Sequence, residues 1–556
     1  MKRKIWLLAI VIIVAGFGIF SIVRLATYKP IVHYRPQVKA AETDEVTIAA
    51  LALYYSSRYP CADINTPTRA INTQIFEGLV GLDKNLKLVP RLAESWDNPD
   101  DLTWRFYLRK GVKFHNGDPF TASDVKFTIE ETNKKGFIGK HFLANVEKVN
   151  VIDDYTIEIK TKEPDPILAN KLAFVLIFNK NYLNEDGTIN SIGTGPYKLE
   201  EWDKDGKYVK LIRNEDYWGE APKVKRVIWK SFPRDKDRLE AVEKREADIG
   251  YLVEGETGLK AGLESKKVKT VVAPDYFVFF LMFDTQRDKT PYVSGVDTNP
   301  FKDVRVRKAI YQGIDVEQVI QDALAGFGEA RSQMVTSDIF GYNPNIKRYP
   351  YDPETAKKLL KEAGYPNGFE VELHTSPYDI YISEAIAKSL KNIGITVKPV
   401  GRGGEKGPED YEKYANGDTS FYGFFCNPDV GDAIGPLVDF FHTPDAEDFS
   451  QRHFGIYNFG KYSNPELDRL IEKASKTMNR KERLKYMQEA MAIIHQDVAA
   501  IPLFSAEIGY ALNPEAHLLF EPRPDDEIRA RELAKREIEF IPEEEKKSPW
   551  EIIFGW

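Results

Sequence analysis

The sequence predicts an α/β protein of several lobes, and three observations carry that prediction. A chain of 556 residues is too long for one ordinary core and corresponds to about four domain-equivalents of about 150 residues. Residues 73–124 read as helix, turn, strand, turn, helix, with Trp104, Phe106 and Leu108 on one face of a period-two segment. Beyond Val304, capped helices alternate with short strands, the pattern of a sheet layered with helices. Apolar residues make up 42% of the chain and charged residues 29%, which is a globular composition rather than a disordered or collagenous one. The net charge is −8 with acids and bases interleaved, so nucleic acid is not an expected partner.

Ile5 to Val23 is an uncharged apolar run of 19 residues. As a helix it is roughly 28 Å long, enough to cross a hydrocarbon core of about 30 Å. Lys2, Arg3 and Lys4 crowd one flank against Arg24 and Lys29 on the other, so the positive-inside rule leaves Met1 in the cytoplasm and the bulk of the chain outside. A cleaved signal peptide is the alternative. The run exceeds a usual signal core of about 7–15 residues and has no small-x-small site directly after it, so a retained single-pass anchor over residues 5–23 is expected. Residues 25–44, with Pro30 and Pro36, read as an exposed spacer. The two cysteines are Cys61 and Cys426. They pair if their Cα atoms come within about 4.4–6.8 Å, and two buried thiols are the other reading.

Residues 46–55 are β-prone, and the amphipathic helix after them ends at Glu77 and Gly78 before a turn at Asp83, Lys84 and Asn85. Thr121 caps a helix with Asp124 three residues on, a variant of the capping box. Residues 155–161 alternate as a strand ended by Pro164 and Pro166. Gly193, Gly195 and Pro196 make a tight turn ahead of a hairpin, 197–199 with 208–212, whose turn pair is Asp205 and Gly206. Residues 276–284, YFVFFLMFD, are a continuous apolar run and therefore a buried strand.

Helical spacing marks 304–315 and 316–326, and Asp352 caps a helix with Pro353 at its first position and Gly364 at its end. Strand 369–374, helix 380–393 stopped by Gly394, strand 395–400 and a helix opened by Asn464 and Pro465 complete a stretch expected to hold its own sheet. Residues 525–539 read as a solvated helix with Glu527 facing Arg531 and Glu532 facing Arg536. The apolar end PWEIIFGW is expected to dock on the body, with the bilayer interface or a transporter subunit as the sharper alternative.

The wording EGL at 77–79, PRLAESW at 90–96, WRFYLRKGVKFHNGDPFTASDV at 104–125, GTGPY at 193–197 and RNEDYWG at 213–219 resembles the extracellular solute-binding proteins of the oligopeptide, dipeptide and nickel transporter family (family 5). The resemblance spans residues 46–520. It implies a three-lobed clamp like the periplasmic binding proteins, with two ligand-enclosing lobes that carry sheets and one extra small lobe. Lobe I is then 45–74, 190–284 and 500–521, lobe II is 75–189, lobe III is 285–499, and 522–556 is a C-terminal extension. It further implies a monomeric, extracytoplasmic component of an ABC importer that captures a peptide or other small solute by hinge closure and hands it to permease subunits. No cofactor is implied.

Site residues follow from the same resemblance. In peptide-binding relatives the strand matching 419–432, TSFYGFFCNPDVGD, carries an aromatic residue that lines the cleft and an acid that binds the peptide ammonium. Phe424 falls on the aromatic position and Asn427 most nearly on the acidic one, with Phe425 and Asp429 beside them. A hydrogen bond to a charged group contributes about 1.5–3 kcal/mol and a neutral one about 0.5–1.5, so Asn427 weakens the case for an ammonium-bearing ligand unless Asp429 moves in. Read without the resemblance, 427–429 is equally a plain turn. Tyr276 is the expected aromatic contact from the buried strand, and Arg402 and Lys413 are the nearest cations for a ligand carboxylate.

Two rivals stand: the same fold with a neutral oligosaccharide or other non-peptide solute, and a membrane-anchored sensor or partner protein. No G-x-S-x-G, H-E-x-x-H or Walker sequence occurs, so no catalytic residue is expected. His442 and His453 read as surface or structural residues, and no metal site is expected.

Overall fold

In the computed structural model the described residues are 34–51, 66–134, 139–180, 190–253, 255–402, 413–414, 417–428, 430–447, 452–523 and 528–542. The period-two segment forms strand Thr103–Leu108, with Trp104, Phe106 and Leu108 buried and Tyr107 exposed. It lies second in a four-stranded antiparallel sheet ordered Ala93–Asp100, Thr103–Leu108, Thr156–Thr161, Val146–Asp153. Helix Ala122–Lys134 covers this sheet. Its entry is fixed as the sequence predicts, because both the backbone N–H and the hydroxyl of Thr121 donate to Asp124 Oδ2, each at 3.0 Å. Asp124→Ala is expected to destabilise the protein by about 1 kcal/mol, the usual effect of losing a cap, and scanning calorimetry will show the unfolding transition moved down while Asp124→Asn moves it less.

The described residues fall into two compact units, one within 42–535 and the other of 34–41 with 536–542. Within the first unit the 276–284 run extends to a strand, Lys269–Phe283, in which Val278 to Phe283 are almost wholly buried. It runs antiparallel to Ala500–Leu512 along nearly its whole length, and the register shifts between Pro274 and Val278. A proline has no N–H to give the ladder, so an irregularity at this point is the physical expectation.

On one side of that shift, Ala500–Leu512 pairs with Ile249–Leu252, and the order continues through Thr43–Ala50, Val224–Ser231, Tyr208–Arg213 and Tyr197–Trp202. On the other, Lys269–Phe283 pairs with Phe421–Cys426, which leads to Glu370–Thr375 and its parallel neighbour Thr396–Gly401. The βα alternation of 285–499 predicts a sheet of its own; its strands instead join the sheet that carries Lys269–Phe283 and Ala500–Leu512. A fully apolar strand has both edges to satisfy as well as both faces, and Lys269–Phe283 takes Phe421–Cys426 on one edge and Ala500–Leu512 on the other.

The helices follow their caps. Val304–Gly313, Val316–Leu324, Pro353–Glu362, Ile380–Lys391 and Pro465–Lys476 form as expected, with Asp352 accepting from Thr355 N at 2.9 Å and Asn464 from Glu466 N at 3.0 Å.

Two expectations at the ends need correction. Residues 34–44 are not a plain spacer, because Tyr34–Ala41 is a strand and Thr43 already pairs with Val224. The helix expected over 525–539 is replaced by a short 3-10 turn, Ala530–Glu532, and strand Ala534–Pro542, whose first residues pair with Leu518–Leu519. Ile528, Ala530 and Leu533 are buried, so the segment is held by packing. Glu532 does not pair with Arg536 as expected, and lies 3.7 Å from Arg523 and 3.9 Å from Arg529, while Glu527 lies outside the described residues. The 5–23 run, Cys61, Asp429 and the apolar tail 549–556 lie outside the described residues. Among the described residues no helix is long and apolar enough to cross a membrane.

Candidate ligand-binding cleft

Helix Thr66–Ile75 places Arg69 and Thr73 four residues apart on one face. The chain then passes Glu77 and folds into a hairpin, Val80–Leu82 with Leu88–Pro90, turned by Asp83, whose Oδ1 accepts from the backbone of Asn85 and Lys87 at 2.8 and 2.9 Å. Arg91 follows directly. It lies against Gly81, where a Cβ would come within 3.0 Å of the Arg91 Nε. Arg69, Thr73, Glu77, Gly81, Leu82 and Arg91, with Phe174, Tyr276, Asn427, Arg529 and Arg531, line a cleft with about 710 Å³ of empty space, open water included. Among the described lining residues are four guanidinium groups and one carboxylate, Glu77.

Glu77 is buried, and its carboxylate is taken up by three donors. Tyr217 OH donates to Oε1 at 2.8 Å, and Trp218 Nε1 and Thr194 Oγ1 donate to Oε2 at 2.7 and 3.2 Å. The GTGPY stretch explains how Thr194 gets there. A Cβ on Gly193 would sit 2.0 Å from the Ile75 carbonyl oxygen and one on Gly195 2.3 Å from that of Gln74, so only glycines let this turn lie against the end of the helix. Burial, with the Glu77 charge next to it, pushes the Tyr217 phenol up.

The arginines are seated in different ways. Arg529 donates to the Leu82 carbonyl at 2.9 Å, and Arg69 lies over the Phe174 ring at 5.3 Å. Arg531 donates through Nη2 to the Thr73 carbonyl, and its Nη1 lies 3.8 Å from Glu77. Its Nε and Nη1 are buried with no hydrogen-bond partner among the described residues. Burial, and then the neighbouring Arg531 charge, pull the Arg91 guanidinium down to about 10, with Glu77 opposing.

Of the residues expected from sequence, Tyr276 and Asn427 both line this cleft. The Tyr276 hydroxyl donates to the Lys84 carbonyl at 3.1 Å. Phe424, Phe425 and Arg402 lie outside its lining. Successive residues of a strand face opposite ways. Phe424 accordingly packs with Tyr414, Tyr422 and Phe459 at 5.7–6.1 Å, while Phe425 meets Phe279 edge-on at 5.1 Å. Arg402 is engaged by Asp418, through its carbonyl at 2.5 Å and its carboxylate at 3.1 Å, and stacks over Tyr292. His442 and His453 sit beside different carboxylates, Glu472 and Asp445.

Sequence reasoning missed Arg69, Glu77, Arg91, Arg529 and Arg531. Arg91 was in view inside PRLAESW, and Arg529 and Arg531 sit two apart, a spacing that shares a face in extended chain but not in a helix.

The model of bacterial extracellular solute-binding proteins, family 5 Middle, matches residues 87–448. The chain is 28% identical over 488 residues to heme-binding protein A of Haemophilus influenzae, covering 80% of this chain and 84% of that one. It is 27% identical over 473 residues to glutathione-binding protein GsiB of Salmonella typhimurium, covering 82% and 88%. Among solved structures it is similar to the periplasmic binding protein DppA of Helicobacter pylori in complex with the peptide STSA, with a TM-score of 0.71, 24% identity and coverage of 89% and 98%. It is also similar to NikA of Brucella suis in complex with Fe(III)-EDTA, with a TM-score of 0.75, 21% identity and coverage of 89% and 100%.

Proposed function

Because the chain belongs to family 5 of the bacterial extracellular solute-binding proteins, we propose that it is the extracytoplasmic binding component of an ABC importer, holding a small solute in the cleft lined by Arg91, Tyr276 and Asn427 and delivering it to permease subunits. The observation that carries this reading is the make-up of the cleft, which draws on residues 69–91, 173–176, 276–277, 427 and 529–531. Small-molecule sites are commonly built at such junctions. Lobes over 45–74, 190–284 and 500–521, over 75–189 and over 285–499 would close on the ligand, with the register shift between Pro274 and Val278 as the bending point. Ligand binding drives such closure by its greater affinity for the closed state.

The named ligands of the relatives, heme, glutathione, a peptide and a metal chelate, differ widely, so the family leaves the solute open. The apolar run 5–23 would tether a monomer to the membrane. The full chain in neutral-lipid nanodiscs, screened by thermal shift against peptides, saccharides, carboxylates, phosphates and metal chelates, is expected to show at least one class raising its unfolding temperature. A chain that no class stabilises, and that releases no small molecule on denaturation, would favour a sensor or partner role instead.

A further inference from the structure

We infer that the solute is recognised through an anionic group, a carboxylate or a phosphate, held between Arg91 and Arg531. This rests on the cleft being the ligand site. It names the charge of the solute, which the family does not set.

Arg91 carries no ion pair or side-chain hydrogen bond among the described residues, although it faces the cleft. Arg531 beside it leaves two buried N–H positions, Nε and Nη1, without hydrogen-bond partners, and its nearest carboxylate oxygen, on Glu77, is 3.8 Å away. Glu77 does not neutralise both guanidinium groups, because one carboxylate carries a single negative charge, and its oxygens already accept from Tyr217, Trp218 and Thr194 rather than from either arginine.

Two half-buried cations in one cleft, with a single already engaged carboxylate for both, repel each other; burial first and the Arg531 charge second pull the Arg91 guanidinium down. An anion between them removes that repulsion and supplies acceptors for their unused N–H groups, and the planar fork of arginine fits carboxylate and phosphate oxygens in pairs. Asn427 fits the same reading. It gives the cleft a neutral amide where a carboxylate would repel such a ligand, and Glu77 is the single carboxylate among the described lining residues.

The test uses the full chain in neutral-lipid nanodiscs. Ligands found by the thermal-shift screen are measured by calorimetry against wild type, Arg91→Gln, Arg91→Lys and Arg531→Gln. The expected result is that the ligands are anionic, that their affinity falls with added salt, and that Arg91→Gln weakens them roughly 10- to 100-fold, the equivalent of a charge-assisted hydrogen bond. Arg91→Lys, which keeps the charge and loses the fork, is expected to lose less. Arg91→Gln is the main variant because Arg531 also holds the Thr73 carbonyl. Neutral or cationic ligands, or anionic ones indifferent to Arg91→Gln, overturn the anion site and leave the solute-binding role standing. No ligand in any class overturns both.

Discussion

Asp432→Ala is expected to destabilise the protein by about 3–5 kcal/mol, the usual consequence of stripping one partner from a buried ion pair. Arg483 meets Asp432 in a two-point fork, Nη1 to Oδ2 at 2.6 Å and Nη2 to Oδ1 at 2.7 Å, with side chains 4% and 6% exposed. The guanidinium also donates through Nε to the Ala474 carbonyl at 3.0 Å, so it is anchored and has no route to water. Loss of the carboxylate leaves that cation buried and uncompensated, and frees the Ile434 N–H that Asp432 also satisfies.

Taking both charges away together, as in Asp432→Leu with Arg483→Met, is expected to recover most of the loss, because the fold then no longer desolvates a charge. Asp432 lies five residues beyond Asn427, and the intervening Val430 carbonyl accepts from Asn170 Nδ2 at 2.8 Å. Freeing the end of this loop is therefore expected to weaken ligand binding as well. Urea midpoints for the two single variants and the double variant give the coupling. An Asp432→Ala unfolding free energy within about 1 kcal/mol of wild type would mean that water or a rearranged neighbour replaces the carboxylate.

Local signals were legible in the sequence where one or two residues decide the outcome. Asp124 accepts from the Thr121 N–H, and Asp352 and Asn464 each accept from an N–H of the helix turn they open. The alternation of Trp104, Phe106 and Leu108 states which face of a strand is buried whatever it packs against. What the sequence left hidden is partner choice. The apolar run around Phe280 demanded burial, yet nothing in it says that it pairs with Phe421–Cys426 on one edge and Ala500–Leu512 on the other, merging two expected sheets.

The site divides in the same way. Tyr276 and Asn427 were reached through a resemblance that carries positions, and both line the cleft. Phe424 and Phe425 are chemically alike and adjacent, so composition does not tell which face of the strand each takes. Arg529 and Arg531 were misread because acids and bases three and four apart suit a helix, while the burial of Ile528, Ala530 and Leu533, which decides the matter, depends on surfaces more than 400 positions earlier, such as the Gln74 side chain that accepts from Arg531 N.

Glu77 provides the second large effect, and there stability and binding are expected to move in opposite directions. Glu77→Ala withdraws the acceptor from Tyr217, Trp218 and Thr194 at once and removes the nearest carboxylate to Arg531. Unsatisfied buried donors cost about 1–3 kcal/mol each, so a loss of about 3 kcal/mol or more is expected even if water from the cleft reaches some of them. Glu77→Gln keeps the size and one carbonyl acceptor, and is expected to cost about 1–2 kcal/mol.

The same change strips the one negative charge from the described lining residues, which strengthens the field that Arg91 and Arg531 present. Glu77→Gln is therefore expected to unfold at a lower temperature without ligand and to bind an anionic solute more tightly than wild type, with the gain shrinking as salt is raised. A variant that is less stable and binds the anion more weakly would assign Glu77 the role of holding Arg531 in place, since losing that orientation outweighs the charge removed. A variant as stable as wild type would show that the three donors find other acceptors, and that the GTGPY turn does not depend on this carboxylate.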